Sequence, residues 1–242
     1  MKTRLDRWLS LLGICSRSEG KILIRKGEIR VNGLTLRDPG TNVETETDSL
    51  MVWGKLVDGR INRHVMLHKP AGLLTAARDR KQPTVMDLLP PVFASIGCMP
   101  VGRLDKDTTG LLILTCDGEL NHRLLAPDRH VEKVYAARVT GCLGEEEVQA
   151  FLRGLNLSGF TTLPARLEIL EAGENGSLGQ VTIQEGKFHQ VKRMFAATGH
   201  EVLSLHRLRF GPLLLPDDLP EGAWRELKVE EVQKLRSAAE ME

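Results

Sequence analysis

Apolar residues recur along this chain at two different spacings. Leu5, Trp8, Leu9 and Leu12 stand three and four apart, the period of a helix face, and Gly13 supplies a stop. Ser16 or Ser18 is placed to cap a second helix through "EGKILIRKG", with Ile22, Leu23 and Ile24 inward and Lys21, Arg25 and Lys26 outward. The spacing then changes to two. Ile29 and Val31, then Leu34 and Leu36, alternate around Asn32-Gly33, which predicts a hairpin, and Asp38-Pro39-Gly40 predicts another turn. "WGKLVDGRINR" has no such pattern and reads as a linker, so a second domain begins near His64.

In that second segment "HVMLHKPAGLLTA" predicts a strand, a Lys69-Pro70-Ala71-Gly72 turn and a further strand. "LLILT" reads as a buried strand closed by an Asp117-Gly118 turn. "VEKVYAARVTG" and "GQVTIQEGKF" have strand patterns, and "GEEEVQAFLRGL" and "FHQVKRMFAATG" have helical ones. Strands and helices alternate without a regular βαβ repeat. The expected fold is therefore α+β: a small domain of helices and hairpin, then a mixed, mainly antiparallel sheet with a central cleft. The expected boundaries are 1–60 and 64–242.

At 242 residues with 41% hydrophobic content, the chain can bury a core in both parts. Its formal net charge of +1 announces no polyanionic partner, but the distribution is uneven. Residues 1–37 hold nine basic side chains against three acidic ones, while 38–50 hold four acids and no base. A basic face on the first module follows. The four cysteines, Cys15, Cys98, Cys116 and Cys142, form no C-x-x-C pair, which argues against a zinc site or a disulfide framework and fits a reducing cytosol. No run of 18 apolar residues and no signal-peptide core occurs, so a cytoplasmic chain with no membrane partner is expected.

The densest chemistry lies in "VGRLDKDTTGLLILTCDGEL", where glycines bracket a loop ahead of the buried strand. An aspartate held there can ligate a metal, act as a general base, attack an electrophile or cap a turn. No histidine or further carboxylate stands at ligand spacing from Asp105 and Asp107, and His64 and His68 fall in a strand, so no metal is expected. "DKDTT" also fits the D-x-D-x-T of aspartyl-phosphate phosphatases. That motif ends a buried parallel strand, whereas here "CMPVGRL" precedes the loop and the apolar run follows it.

"RLDRWLSLLGICSRSEGKILIRKGEIRVNG" resembles an RNA-binding module shared by a small-subunit ribosomal protein and several RNA-modifying enzymes. "GRLDKDTTGLLILTCDGEL" is similar to the catalytic motif of the pseudouridine synthases that act on ribosomal RNA. "MLHKPAGLLTA", "EKVYAARV" and "EGKFHQVKRMFAATGHEVLSLHRLRFG" resemble that family's other motifs, in the same order. "HQVKRMFAATGH" and "HRLLAPDRHVEKVY" look most like the small-subunit 16S enzyme, with large-subunit 23S relatives as the alternative. A ribosome-binding or assembly factor that has lost activity would keep the fold but not these residues.

The resemblance implies isomerisation of uridine to pseudouridine, which oxidises nothing and needs no cofactor. It implies that Asp105 is the catalytic aspartate, acting at the ribose C1′ or adding to the base. Asp107 reads instead as a loop cap with a solvated carboxylate. Tyr135, the sole tyrosine, stacks on the base and is placed to take the C5 proton, although a phenol with a reference pKa of about 10 is a weak base. Lys192 pairs with the aspartate and keeps it ionised; on a helix, only one of Lys192 and Arg193 faces the cleft. Arg103 meets the RNA where the flipped nucleotide has left the helix. The remaining RNA contacts are expected from Arg4, Arg17, Lys21, Arg25, Lys26, Lys187 and Arg193. The partner is ribosomal RNA or the small-subunit particle, bound by a monomer.

Overall fold

The computed structural model describes residues 1–241. Its N-terminal part runs β1 (Lys2–Arg4), α1 (Leu5–Leu11), α2 (Arg17–Lys26), β2 (Ile29–Val31), β3 (Leu34–Thr35), β4 (Asn42–Glu44), β5 (Leu50–Val52) and β6 (Lys55–Val57). Leu5, Trp8 and Leu9 are buried as their spacing requires. Ser16 caps α2 through a reciprocal box with Glu19, and left-handed Gly27 ends it. Within α2, Gly20 and Ile24 face the core, one turn apart. Ile22, expected inside, is 53% exposed because it lies on the opposite side of the helix from Ile24. Asn32 and Gly33 both take positive φ, the backbone that a two-residue hairpin needs.

The expected linker is corrected in its first half. Trp53 and Gly54 form a second tight turn, and β6 completes an antiparallel sheet of order β3-β2-β5-β6. The strand escaped the sequence pattern because it is a sheet edge whose Leu56 stays exposed. This module joins the rest of the protein through Trp8. Its Nε1 donates to the Gly59 carbonyl at 2.7 Å, and its ring fills the space a Cβ on Gly59 would need. One continuous buried cluster therefore runs from Leu5 and Trp8 to Phe93 and one face of the large sheet.

The second part runs β7 (His64–Lys69), α3 (Pro91–Ser95), β8 (Met99–Pro100), β9 (Thr109–Thr115), α4 (Gly118–Leu125), β10 (Lys133–Val139), α5 (Glu145–Arg153), β11 (Asn156–Leu157) and β12 (Phe160–Thr161). It continues through β13 (Arg166–Glu171), β14 (Ser177–Ile183), α6 (Gln190–Ala197), β15 (Val202–Phe210), β16 (Leu213–Leu214), β17 (Trp224–Glu226) and α7 (Val229–Ala238). The large sheet has the order β13-β14-β10-β15-β9-β7-β17. Every neighbouring pair in it is antiparallel except β15 beside β9. Phe151 of α5 and Phe195 of α6 pack on one face; Leu120 and Leu124 of α4 and Leu235 of α7 pack on the other. The α+β, mainly antiparallel expectation holds. No helix among the described residues is long and apolar enough to cross a membrane.

Two local expectations in this part change. No strand follows the Lys-Pro-Ala-Gly turn; Leu74 makes only an isolated bridge to Thr84, because its backbone bonds into the 83–85 loop. Where an Asp117-Gly118 turn is expected to end β9, Asp117 caps α4, accepting from Glu119 N and Leu120 N at 3.1 and 3.0 Å.

The parallel junction of β9 with β15 is where the Asp105 loop enters the sheet. A Cβ on Gly110 would lie 2.3 Å from the Arg207 carbonyl oxygen, at a φ of +104°. Neither contact nor backbone tolerates a side chain. Gly110→Ala is expected to lower stability by about 3 kcal/mol or more through overpacking and strain. Thermal unfolding checks this, with a midpoint drop of about 6–12 °C.

Candidate active site

The loop of residues 101–108 is held from beneath by the end of β7 and the segment after it. Lys69, fully buried, donates from Nζ to the carbonyls of Pro70, Lys106 and Thr108 at 2.9, 3.3 and 2.9 Å. Gly72 N donates to the Lys106 carbonyl at 2.8 Å. Thr75 Oγ1 donates to the Leu104 carbonyl at 2.8 Å and accepts from Leu104 N at 3.2 Å. Asp105 is thus presented by a backbone bonded on both sides.

Burial pushes the Lys69 ammonium down to about 8, against the pull of Asp107 and Asp105. Between pH 8 and the 10.5 of a free lysine, the unfolded chain binds a proton that the folded chain lacks. Through this group, stability therefore rises with pH across that window; below it both states are protonated and the burial penalty is constant. Lys69→Met is expected to lose that rise and to be less stable by about 2 kcal/mol, since three carbonyls lose a donor. Denaturant titrations of both proteins at pH 8 and 10 measure it.

On the solvent side, α6 and the residue that precedes it bring Lys192 and His189 to the loop. Asp105, 27% exposed, lies 3.6 Å from Lys192 Nζ and 3.5 Å from His189 Nε2. His189 and Lys192 stand one turn apart and share a face. Arg193 turns the other way, donating to the Ser158 carbonyl with its guanidinium 4.9 Å from the Phe160 ring. Lys192 also binds both carboxylate oxygens of Asp107, at 2.6 and 2.8 Å. Asp107, expected as a loop cap with a solvated carboxylate, therefore has a further partner in Lys192. Its carboxylate is exposed but fixes the lysine head, and the lysine's bond holds that carboxyl below the usual range.

Tyr135 rises from β10 between Val181 and Arg207 in the neighbouring strands and is almost wholly buried. Tyr135, Asp105, Leu104, Thr108 and Leu205 line one cleft. Thr108 Oγ1 is buried there with no hydrogen-bond partner among the described residues. Gln190 shapes the far wall: it accepts from Lys187 N at 2.9 Å and donates to Glu185 at 2.7 Å.

A model of the RNA pseudouridylate synthase family matches residues 63–197, and one of the S4 domain matches 3–49. This chain belongs to the RNA pseudouridylate synthase family. An uncharacterized RNA pseudouridine synthase of Bacillus subtilis is 40% identical to the synthase over 96% of this chain and 98% of the relative. The ribosomal small subunit pseudouridine synthase A of Pseudomonas aeruginosa is 40% identical, over 95% and 98%. The ribosomal large subunit pseudouridine synthase B of B. subtilis is 37% identical, over 98% and 97%. A pseudouridylate synthase crystal structure superposes with a TM-score of 0.67 at 34% identity, covering 96% of this chain and 99% of the other.

The synthase therefore isomerises uridine in RNA, and the cleft brings together a carboxylate, an aromatic ring and basic side chains. Arg103 stands exposed at its rim with no hydrogen bond or ion pair among the described residues. Lys187 also lines it, with Nζ 3.9 Å from the Phe160 ring and 3.3 Å from Glu185. The other basic residues lie on the N-terminal module. Arg4 and Arg17 flank buried Asp6 at 3.1 and 3.2 Å. Burial alone would raise that carboxyl, but the two guanidinium bonds outweigh it and hold it low. Lys21, Arg25 and Lys26 are exposed on α2, and none forms an ion pair among the described residues.

Sequence reading named neither Lys69 nor His189 as a working residue. Lys69 stands in the Lys-Pro-x-Gly segment, but nothing local marks a lysine as buried. His189 precedes Gln190 in the third motif, and its left-handed backbone, φ 49°, is invisible to periodicity.

Proposed function

We propose that the synthase converts a uridine of small-subunit 16S ribosomal RNA to pseudouridine, with residues 1–60 gripping RNA and residues 64–242 performing the chemistry. The observation that carries the chemical reading is Asp105 in one cleft with Tyr135, with Lys192 Nζ 3.6 Å from its carboxylate. In this reading the target nucleotide leaves its helix, because a stacked uridine hides both C1′ and C5. Asp105 attacks C1′ or adds to the base. The N1–C1′ bond breaks, the base turns against Tyr135, and a C5–C1′ bond forms. On the C1′ route the carboxylate leaves C1′ as the C5–C1′ bond forms, and on the other route it leaves the base after that bond has formed; C5 loses its proton and N1 gains one. Lys192 keeps a positive charge 3.6 Å from the carboxylate, and Arg103 occupies the space the nucleotide leaves.

The small-subunit assignment is supported by the P. aeruginosa relative, and the large-subunit relative of B. subtilis favours the competing one. Purified protein incubated separately with 16S and 23S transcripts, and with partly assembled small-subunit particles, decides between them. Carbodiimide-dependent reverse-transcription stops are expected on 16S RNA; stops confined to 23S RNA would move the substrate to the large subunit. A ribosomal substrate places the reaction in the cytoplasm, and a monomer suffices, since one chain supplies the whole cleft.

In this reading α2 supplies phosphate contacts. Replacing Lys21, Arg25 and Lys26 together by alanine is expected to make the log–log salt dependence of RNA affinity shallower by about 2, as fewer counterions are released. Filter binding at several salt concentrations measures the slope, and the saturated single-turnover rate is expected to change little.

A further inference from the structure

A second groove adjoins the uridine cleft and shares Arg103, Leu104, Asp105, Lys187 and His189 with it. Its lining is apolar and cationic. Met99, Leu125 and Phe188 line it while 51%, 44% and 70% exposed. Arg103, Lys106 and Lys187 face a single carboxylate among its lining residues, Asp105. That mixture suits unstacked bases on a phosphate backbone better than it suits a protein surface.

Phe188 is the most exposed of the three, and its neighbour explains where its ring lies. His189 takes a left-handed backbone, uncommon outside glycine, just before α6 begins. The two rings stack, with centroids 3.8 Å apart and planes 17° apart. One face of Phe188 is thus covered by a ring whose Nε2 is 3.5 Å from Asp105. The rest of Phe188 lies open in the groove beside the cleft. An apolar ring left open at a reaction centre, backed on one side, is a platform for a flat apolar ligand.

We infer that Phe188 is a positioning residue whose open face stacks on the base of a nucleotide flanking the target uridine in the same RNA strand. This rests on the proposed RNA reading but not on the choice of subunit. Flipping the uridine unstacks its neighbours, and the platform replaces a stacking partner that a neighbour has lost. Every base offers a π-face, so the contact contributes affinity and register without demanding one sequence.

The test uses the full-length synthase and a synthetic fragment of whichever ribosomal RNA it modifies, so a wrong subunit assignment does not touch the result. The fluorescent base 2-aminopurine replaces, in turn, the nucleotides on either side of the target. Wild-type protein is expected to quench one of the two, and Phe188→Ala to abolish that quenching while raising the half-saturating RNA concentration about tenfold. Phe188→Trp is expected to restore both. Because the ring is largely exposed, thermal midpoints should match the wild type and exclude a folding defect. Absence of quenching at both positions, or quenching that survives in Phe188→Ala, overturns the inference. So does a variant that loses saturated rate alone, which would make the ring a support for His189.

Discussion

Asp105→Asn is expected to form pseudouridine at least about 10⁴-fold more slowly than the wild type, while binding RNA within a few-fold of it. The amide keeps the size of the carboxylate and its place beside Lys192 and His189. What it loses is the charge and the oxygen proposed as nucleophile, and nothing else in the cleft replaces them: Asp107, the other carboxylate of the loop, is bound by Lys192 at 2.6 Å. Tritium release from RNA labelled at uridine C5 measures the reaction, and gel-shift titration the binding. Normal turnover in this variant would end the assignment of Asp105. Asp107→Asn is the control. It weakens the hold on Lys192 without touching the nucleophile, and a loss of no more than about tenfold is expected.

Replacing Tyr135 separates its two proposed tasks. Tyr135→Phe keeps the ring that walls the cleft and removes only the hydroxyl, so glycosidic cleavage should survive while the final proton loss slows by about 10²-fold. Tyr135→Ala removes the wall as well. The residue is buried between strands, so the truncation also leaves a cavity in a packed face, and the effect is expected to exceed that of Phe in both rate and stability. Single-turnover assays with C5-tritiated RNA report the proton step directly. A Phe variant as fast as wild type would leave the hydroxyl without a chemical role and the aromatic wall as the residue's whole contribution.

The candidate site was partly legible before the structure. Asp105 and Tyr135 were named from motifs, and they meet in one cleft because β9 and β10 both pair with β15, bringing distant segments side by side. Lys192 was named for Asp105 alone, yet its closer partner is Asp107. Which of two carboxylates separated by one residue receives a lysine depends on loop backbone, and that backbone is set by Lys69 and Thr75 from another segment. Arg4 and Arg17, expected to contact RNA, both also engage buried Asp6, an acid in a basic stretch.

By itself, the sequence determined what short-range interactions decide. The ends of α1 and α2, the Asn32-Gly33 hairpin, the strand and helix periods of the second domain and the order of the motifs all depend on residues within a few positions of one another. Dihedral preference, capping and alternation of burial act over that range. The tertiary structure alone decided the parallel placement of β15 beside β9, which leaves no room for a side chain at Gly110, and the burial of Lys69 under the 101–108 loop. It also decided the approach of Lys192 to a loop 85 residues away. Those features are set by how separate segments share one core, and their energies are sums over contacts that no local window contains.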